Sequence, residues 1–305
     1  MSTHPQPTQS DRPDREPVTL PRLADMKANG QPIVMVTAYD FPSARVAEEA
    51  CVDIVLVGDT AAMVVLGYDA TTPVGMDEMV TMASAVRRGL RTPLLIGDMP
   101  FGSYERSNEH AIENAQRFVR EAGVAAVKLE RGGPSVERAR AIASSGIPVM
   151  GHVGLTPQSA SALGGFKAQG KTLESAKQIA HDAHELQAAG CFAIVFEAVP
   201  AAVTEALMPH IHVPVIGIGA GLSTDGQVLV FHDLLGMTMG HSPKFVKRYA
   251  EIHERMVDGV RSYADDVRSR HFPDADHVYA VDQDAVAELR SYLDQGSLAT
   301  APWDW

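Results

Sequence analysis

The segment Ile54–Asp59 has the sequence Ile-Val-Leu-Val-Gly-Asp, an apolar run that ends directly on an acidic side chain. A run of this length without polar alternation is typical of a strand buried on both faces of a parallel sheet. Four further runs have the same form, and they end on Asp98, Glu130, His152 and Glu197. A charge at such a place is costly to desolvate unless it is paired, binds a metal or does chemistry. The five runs therefore predict one shared site at the carboxyl edge of a sheet.

The rest of the chain shows how many such strands there are. Strand-like and helix-like segments alternate from about Pro32 to Gly236. Eight βα units with short connections favour the α/β class and a (β/α)8 TIM barrel in a single domain. An open, doubly wound sheet is the alternative. That fold normally carries a glycine-rich fingerprint after its first strand, whereas Tyr39–Pro42 occupies this position here.

The boundaries of these elements follow from the hydrophobic pattern. The eighth strand has an alternative location at Gly236–Met239. We predict strands at Ile33–Tyr39, Ile54–Gly58, Pro93–Gly97, Ala125–Leu129, Pro148–Val153, Phe192–Ala198, Val213–Ile218 and Gln227–Phe231. We predict helices at Ser43–Glu49, Met76–Arg88, Ser107–Ala122, Pro134–Ser145, Leu173–Ala189, Ala201–Met208 and Pro243–Val267.

Three regions follow from this assignment. Residues 1–20 are polar and rich in proline, lack the apolar core of a signal peptide, and are predicted to form a disordered tail. Residues 21–277 form the barrel domain. Residues 278–305 form a C-terminal extension with a short amphipathic helix at Asp284–Asp294.

Composition narrows the class of protein. The chain has 305 residues, of which 45% are hydrophobic and 21% charged, as expected of a globular protein with a large core. The net charge of −12 and the absence of a basic run argue against a nucleic-acid partner. No apolar stretch reaches the roughly 18 residues that a membrane span needs. Cys51 and Cys191 lie far apart in the sequence, which favours reduced thiols and a cytoplasmic location.

The acids at the strand ends suggest a metal site. In a barrel, Asp59, Asp98 and Glu130 would meet at the carboxyl face, where three carboxylates need a cation or raised pKa values. Oxygen ligands alone suit a hard cation, so Mg²⁺ is the first choice, with Mn²⁺ or another divalent cation as alternatives. Helix capping or pairing with a nearby base remains the structural alternative for each acid.

Three more side chains are candidates for chemistry. Lys128 lies two residues before Glu130 and shares its strand face, so an inward lysine would bind an anion or pair with an acid. Glu197 ends a fully apolar strand and is a candidate general base, or alternatively a helix cap. His152 either contacts substrate or is a satisfied core histidine. Gly164–Gly170 is either an active-site cover or an ordinary flexible connection. Gly217–Gly221 either leaves space for the substrate or forms a tight turn.

At these residues the chain closely resembles the ketopantoate hydroxymethyltransferase family. The matching segments run in order from about residue 20 to residue 277, and their number makes the resemblance specific. They are Thr37–Asp40, Val57–Asp59, Gly67–Asp69, Asp98–Phe101, Val127–Glu130, Gly151–Gln158, Gly164–Gly170, Glu197–Pro200, Val215–Gly221, Asp225–Gln227 and Pro243–Phe245.

The resemblance implies a (β/α)8 barrel and the first step of pantothenate biosynthesis. A hydroxymethyl group would pass from 5,10-methylenetetrahydrofolate, the co-substrate, to the keto acid 3-methyl-2-oxobutanoate and give 2-dehydropantoate. By resemblance, Asp59, Asp98 and Glu130 hold Mg²⁺ directly or through water, and Glu197 accepts the proton. Asp59, Thr60, Asp98 and Lys128 would contact the keto acid. A homo-oligomer, typically a decamer, is also implied.

The chemistry fits these roles. A 2-oxo acid can chelate Mg²⁺, which acidifies its C3 proton, and Mg²⁺ with Lys128 would stabilise the enolate left when Glu197 removes that proton. The chain departs from the family at Thr60, where serine is usual, and at Arg131, which stands between Glu130 and a glycine pair. A carbon–carbon lyase of the phosphoenolpyruvate-barrel type and a non-catalytic metabolite-binding barrel are the rival hypotheses.

Overall fold

Eight parallel strands form a closed barrel in the computed structural model, which describes residues 15–160, 162, 164–240 and 243–295. Each strand pairs with its neighbours in chain order, and the eighth pairs with the first. The predicted barrel is therefore confirmed and the open sheet excluded. The strands are β1 Ile33–Thr37, β2 Ile54–Val57, β3 Leu94–Asp98, β4 Ala126–Lys128, β5 Val149–Gly154, β6 Ala193–Glu197, β7 Val215–Ile218 and β8 Gly226–Leu229.

A helix follows every strand except β7, which leads directly to β8, so one of the eight predicted βα units lacks its helix. Several helices begin at a residue whose side chain caps them. Asp40 accepts a hydrogen bond from the Ser43 N–H at 2.8 Å, and Thr172 caps a later helix in the same way. Gly123, at φ 67°, ends the predicted helix that starts after Ser107, and its last turn is a π-helical turn. The helices are α1 Leu20–Ala28, α2 Phe41–Glu49, α3 Ala61–Val64, α4 Met76–Gly89, α5 Asn108–Arg117, α6 Pro134–Ser144, α7 Leu173–Ala188, α8 Ala201–Leu207, α9 Phe231–Leu234, α10 Ile252–Ser269 and α11 Gln283–Asp294.

Helix α1 closes the amino end of the barrel, a role that the sequence pattern did not predict. Its buried side chains Leu23 and Met26 join one apolar cluster with the first residues of β1, β2 and β3. Lys27 of α1 pairs with Asp225, just before β8, at 2.7 Å. Helix α1 thus covers the amino end of the barrel with apolar side chains and one ion pair, and the carboxyl end carries the polar site.

The predicted disordered tail over residues 1–20 lies outside the described residues as far as residue 14. Residues 15–19, however, are packed on the barrel. Val18 is buried and donates its N–H to the Thr92 carbonyl at 2.8 Å, and Arg15 forms an ion pair with Asp53. Val18 thus belongs to the core, and the domain boundary at residue 20 stays a prediction.

The predicted helix at Pro243–Val267 is wrong at its start. The structure has no helix from 243 to 251, and α10 begins at Ile252. The Tyr249 N–H donates to the Leu234 carbonyl at 2.8 Å instead of bonding within a helical turn. A long-range hydrogen bond of this kind leaves no mark in the local hydrophobic pattern.

The chain divides after Glu251 into two compact units. The second unit contains α10 and α11, and α11 agrees with the predicted helix at Asp284–Asp294. The domain boundary at residue 277 stays a prediction. Among the described residues, none of the helices combines the length and the apolar character that crossing a lipid bilayer requires.

Candidate functional site

The carboxyl ends of the strands form a pocket that contains every predicted site residue. Strand pairing brings them together, since Asp98 at the end of β3 is in register with Lys128 at the end of β4. Apolar side chains such as Leu56, Val195 and Ile218 form most of the remaining wall. The predicted site residues in this pocket are Asp59, Thr60, Asp98, Lys128, Glu130, His152 and Glu197.

Lys128 is a buried cation in the pocket. Its Nζ lies 2.8 Å from Oδ1 of Asp98 and 4.0 Å from Oε1 of Glu130. Burial lowers the pKa of Lys128, but the charges of Asp98, Glu130 and Asp59 outweigh it and hold that pKa above its ordinary value. Lys128 is therefore charged at neutral pH. It faces inward together with Glu130, as their spacing on the strand predicted.

The two aspartates crowd one another. The Asp59 N–H donates to Oδ2 of Asp98 at 3.2 Å, and both side chains are buried. Burial, together with the negative charges of Asp98 and Glu130, raises the pKa of Asp59 well above its usual range. Burial also raises the pKa of Asp98, although Lys128 partly offsets this effect. The pocket therefore holds more carboxylate groups than its own cations can balance.

His152 links two acids. Its Nε2 lies 3.2 Å from Oε2 of Glu197, and its Nδ1 lies 3.5 Å from Oε1 of Glu130. Burial and the Lys128 charge lower the pKa of His152, but hydrogen bonds with the two glutamates outweigh them and raise it to about 9. His152 is thus a partnered side chain with a raised pKa, and its Nδ1 also lies 3.5 Å from Nζ of Lys128. The same contact with His152 helps to keep the pKa of Glu130 below its ordinary value despite burial.

Glu197 differs from the other acids in its exposure. Its side chain is 16% exposed, whereas those of Asp98 and Glu130 are exposed by 2% or less. The sequence predicted apolar surroundings for Glu197, but the structure places it beside the polar His152 ring. Glu197 is therefore the carboxylate most open to a molecule entering the pocket.

Gln158 is a site residue whose contacts sequence reasoning missed. It lies in the 3-10 turn Pro157–Ser159 after β5, and its side chain reaches Asp59 at 2.9 Å. The segment Gly151–Gln158 had been recognised by resemblance. The pattern of apolar runs gave no signal for Gln158, because its position depends on the path of the loop.

The two glycine-rich segments have different outcomes. Gly219, at φ 65°, packs against the Phe245 ring, and Gly217 and Gly221 pack against Thr224 and Ala201. Added Cβ atoms would approach those neighbours to within 2.6–2.7 Å, so close packing accounts for these glycines. The role of Gly164–Gly170 as a cover stays a prediction.

Arg131 has a backbone conformation that favours glycine, with φ 78°. We expect Arg131→Val to lower the thermal unfolding midpoint by about 2–6 °C, because a β-branched residue is strained there. Arg131→Gly removes the same guanidinium group without that strain and serves as the matched control. The midpoints can be compared by circular dichroism. Equal midpoints for the two variants would contradict the strain argument.

The pocket has carboxylate oxygens that could bind a cation, but these side chains do not form a complete coordination shell. Within the described part of the chain, no three His, Cys, Asp or Glu side chains are arranged to hold a metal ion. Asp59 and Asp98 nevertheless supply adjacent buried oxygens with raised pKa values. Both features suit a hard divalent cation, which often takes one or two carboxylates and completes its shell with water and substrate.

Solved structures with a similar fold are distant in sequence. Phosphonopyruvate hydrolase in complex with oxalate and Mg²⁺ superposes with a TM-score of 0.57 at 14% identity, covering 92% of this chain and 98% of that one. A 2,3-dimethylmalate lyase of the phosphoenolpyruvate mutase/isocitrate lyase superfamily gives 0.53 at 16% identity, covering 92% and 98%. These likenesses show the barrel fold alone.

Sequence relatives are much closer. The 3-methyl-2-oxobutanoate hydroxymethyltransferase of Carboxydothermus hydrogenoformans is 50% identical over 87% of this chain and 96% of its own length. The Moorella thermoacetica protein of the same name is 51% identical, over 87% and 98%. The model of the family described as ketopantoate hydroxymethyltransferase matches residues 17–275. With a match that spans the barrel and relatives at about half identity, the chain belongs to the ketopantoate hydroxymethyltransferase family.

Proposed function

We propose that this barrel transfers a hydroxymethyl group from 5,10-methylenetetrahydrofolate to 3-methyl-2-oxobutanoate and so forms 2-dehydropantoate. Family membership supports the reaction. The observation that carries the proposal is the pocket itself, in which the buried Lys128 is surrounded by carboxylates and Glu197 stands apart and more exposed. An anionic keto acid needs a buried cation, and removal of its proton needs an accessible base.

A divalent cation fits the charge of the pocket. Four carboxyl groups line it beside two basic side chains, Lys128 and His152. We infer that Asp59, Asp98 and Glu130 would hold Mg²⁺, directly or through water, with Mn²⁺ as an alternative. When bound, such a cation would draw electron density from the keto acid and make its C3 proton more acidic.

Glu197 is the proposed base. The Glu197 side chain is 16% exposed, whereas the His152 side chain is 3% exposed and lies against Glu130 and Glu197. The His152 Nε2 lies 3.2 Å from Oε2 of Glu197, a position from which it can orient that carboxylate. A direct contact of His152 with the substrate remains a prediction.

The other proposed contacts concern the keto acid. Asp59, Thr60, Asp98 and Lys128 line the same pocket and are proposed to bind the carboxylate and keto groups. The ammonium of Lys128 is held in place by Asp98 before the substrate arrives. A charge fixed in advance stabilises a developing oxyanion without the cost of reorganisation.

The proposal is tested by tetrahydrofolate release from 5,10-methylenetetrahydrofolate, with and without 3-methyl-2-oxobutanoate and Mg²⁺. We expect turnover that requires the keto acid and that is lost when a chelator removes divalent cations. Cleavage of a 2-oxo acid without folate would favour a carbon–carbon lyase instead. Binding of the keto acid without any turnover would favour a non-catalytic barrel.

Location and assembly also remain proposals. We propose a cytoplasmic protein, supported by the free thiols of Cys51 and Cys191. We propose a homo-oligomer, a decamer by family resemblance. Exposed apolar side chains on α10, among them Met256, Val260 and Tyr263, support assembly, because isolated proteins seldom expose such a group.

A further inference from the structure

Both the oxygen and the nitrogen of the Gln158 side-chain amide form hydrogen bonds, and the amide lies next to the carboxylate of Asp59. Its Nε2 donates to Oδ2 of Asp59 at 2.9 Å and to the Met99 carbonyl at 3.0 Å. Its backbone N–H donates to Oε2 of Glu130 at 3.0 Å. One buried residue thus contacts two of the three clustered acids, one through its side chain and the other through its backbone.

The orientation of the Gln158 amide is set by Tyr104. The Tyr104 hydroxyl accepts a hydrogen bond from the Glu130 N–H at 3.4 Å and donates its proton to Oε1 of Gln158 at 2.5 Å. The amide nitrogen must therefore face Oδ2 of Asp59 and the Met99 carbonyl, and a carbonyl only accepts hydrogen bonds. Both Tyr104 and Gln158 are buried, so water does not compete for these contacts.

We propose that Gln158 is a positioning residue that holds Asp59 in its orientation, with Tyr104 fixing the Gln158 amide. The bond from Gln158 occupies Oδ2 of Asp59 and leaves Oδ1 as the oxygen available to an incoming ligand. Without Gln158, the two carboxylate oxygens of Asp59 would be free to exchange places. The expected effect of Gln158 on turnover rests on the proposed function, whereas its effect on the orientation of Asp59 does not.

The test uses Gln158→Met, which keeps the length of the side chain and removes its hydrogen bonds. Crystal structures of the full chain with and without the substitution report the orientation of Asp59. We expect Asp59 to turn in the variant, and kcat for keto-acid-dependent turnover to fall about 10- to 100-fold, the range for a charge-assisted hydrogen bond. KM for the folate should change less than kcat.

A second variant and a control complete the test. Tyr104→Phe keeps the ring and removes only the hydroxyl, so we expect a smaller fall in kcat of about 3- to 10-fold. Gln178→Met on α7 is the same substitution away from the pocket and should leave kcat unchanged. If the Asp59 side chain keeps its orientation in both Gln158→Met and Tyr104→Phe, the inference is wrong. If the unsubstituted protein shows no turnover, the proposed function is wrong. The crystal structures still test the positioning role of Gln158, because they report the orientation of Asp59 without any turnover.

Discussion

Replacement of Glu197 by glutamine is expected to lower keto-acid-dependent turnover by about 10²- to 10⁴-fold, the usual contribution of a general base. Glutamine keeps the size of the side chain and can still meet His152, but it cannot accept the proton. The direct measurement is exchange of the C3 proton of 3-methyl-2-oxobutanoate in D₂O without folate, followed by NMR. Exchange isolates the proton removal from the later transfer step.

A matched control for this prediction is available on the following helix. Glu205 is exposed on α8, outside the pocket, and Glu205→Gln should leave both exchange and turnover unchanged. Undiminished exchange in Glu197→Gln would eliminate Glu197 as the base. It would then direct attention to the other carboxylates of the pocket.

Replacement of Lys128 by methionine is expected to affect both stability and activity. Removal of one partner from a buried ion pair typically costs about 3–5 kcal/mol in the free energy of unfolding. Asp98 lies 2.8 Å from Lys128 and would lose the charge that now opposes the rise of its pKa. Turnover should fall by at least about 10²-fold, comparable to the loss of one oxyanion-stabilising group.

The loss of stability in Lys128→Met should depend on pH. A carboxyl group whose pKa is higher in the folded state than in the unfolded state destabilises the folded state once the pH rises above the unfolded-state pKa. This destabilisation increases until the pH passes the folded-state pKa. The variant should therefore be closer to the unsubstituted protein at pH 5 than at pH 8. Thermal unfolding at the two pH values measures this difference. Lys177→Met on α7 is the exposed control, and equal losses at both pH values would contradict the electrostatic explanation.

Much of the barrel and its pocket was predictable from the sequence because both depend on strand pattern. In a closed parallel barrel, the last residues of all strands lie at the same rim. The positions of Asp98 and Glu197 could therefore be predicted from each strand alone. Lys128 followed from alternation, since residues i and i+2 share a face. β8 was located at Gly226–Leu229, close to the favoured prediction rather than its alternative.

The parts that were missed depend on contacts between distant segments. Neither the bond from Gln158 to Asp59 nor the pairing of His152 with two glutamates is visible in local periodicity. The unwound segment before α10 likewise results from a bond between Tyr249 and Leu234. Helix α1 escaped prediction because its apolar face is short and follows a polar segment.

The helix that seals the barrel floor has a consequence for how the chain folds. Lys27 and Asp225 are 198 residues apart, and Leu23 packs in a cluster that also holds Ile216 of β7 and Val228 of β8. During synthesis, α1 leaves the ribosome long before these partners exist. Contacts of such long sequence separation are slow to form, so barrel closure and docking of α1 should be late, linked events. The earliest part of the barrel to be made would thus be among the last to reach its final place.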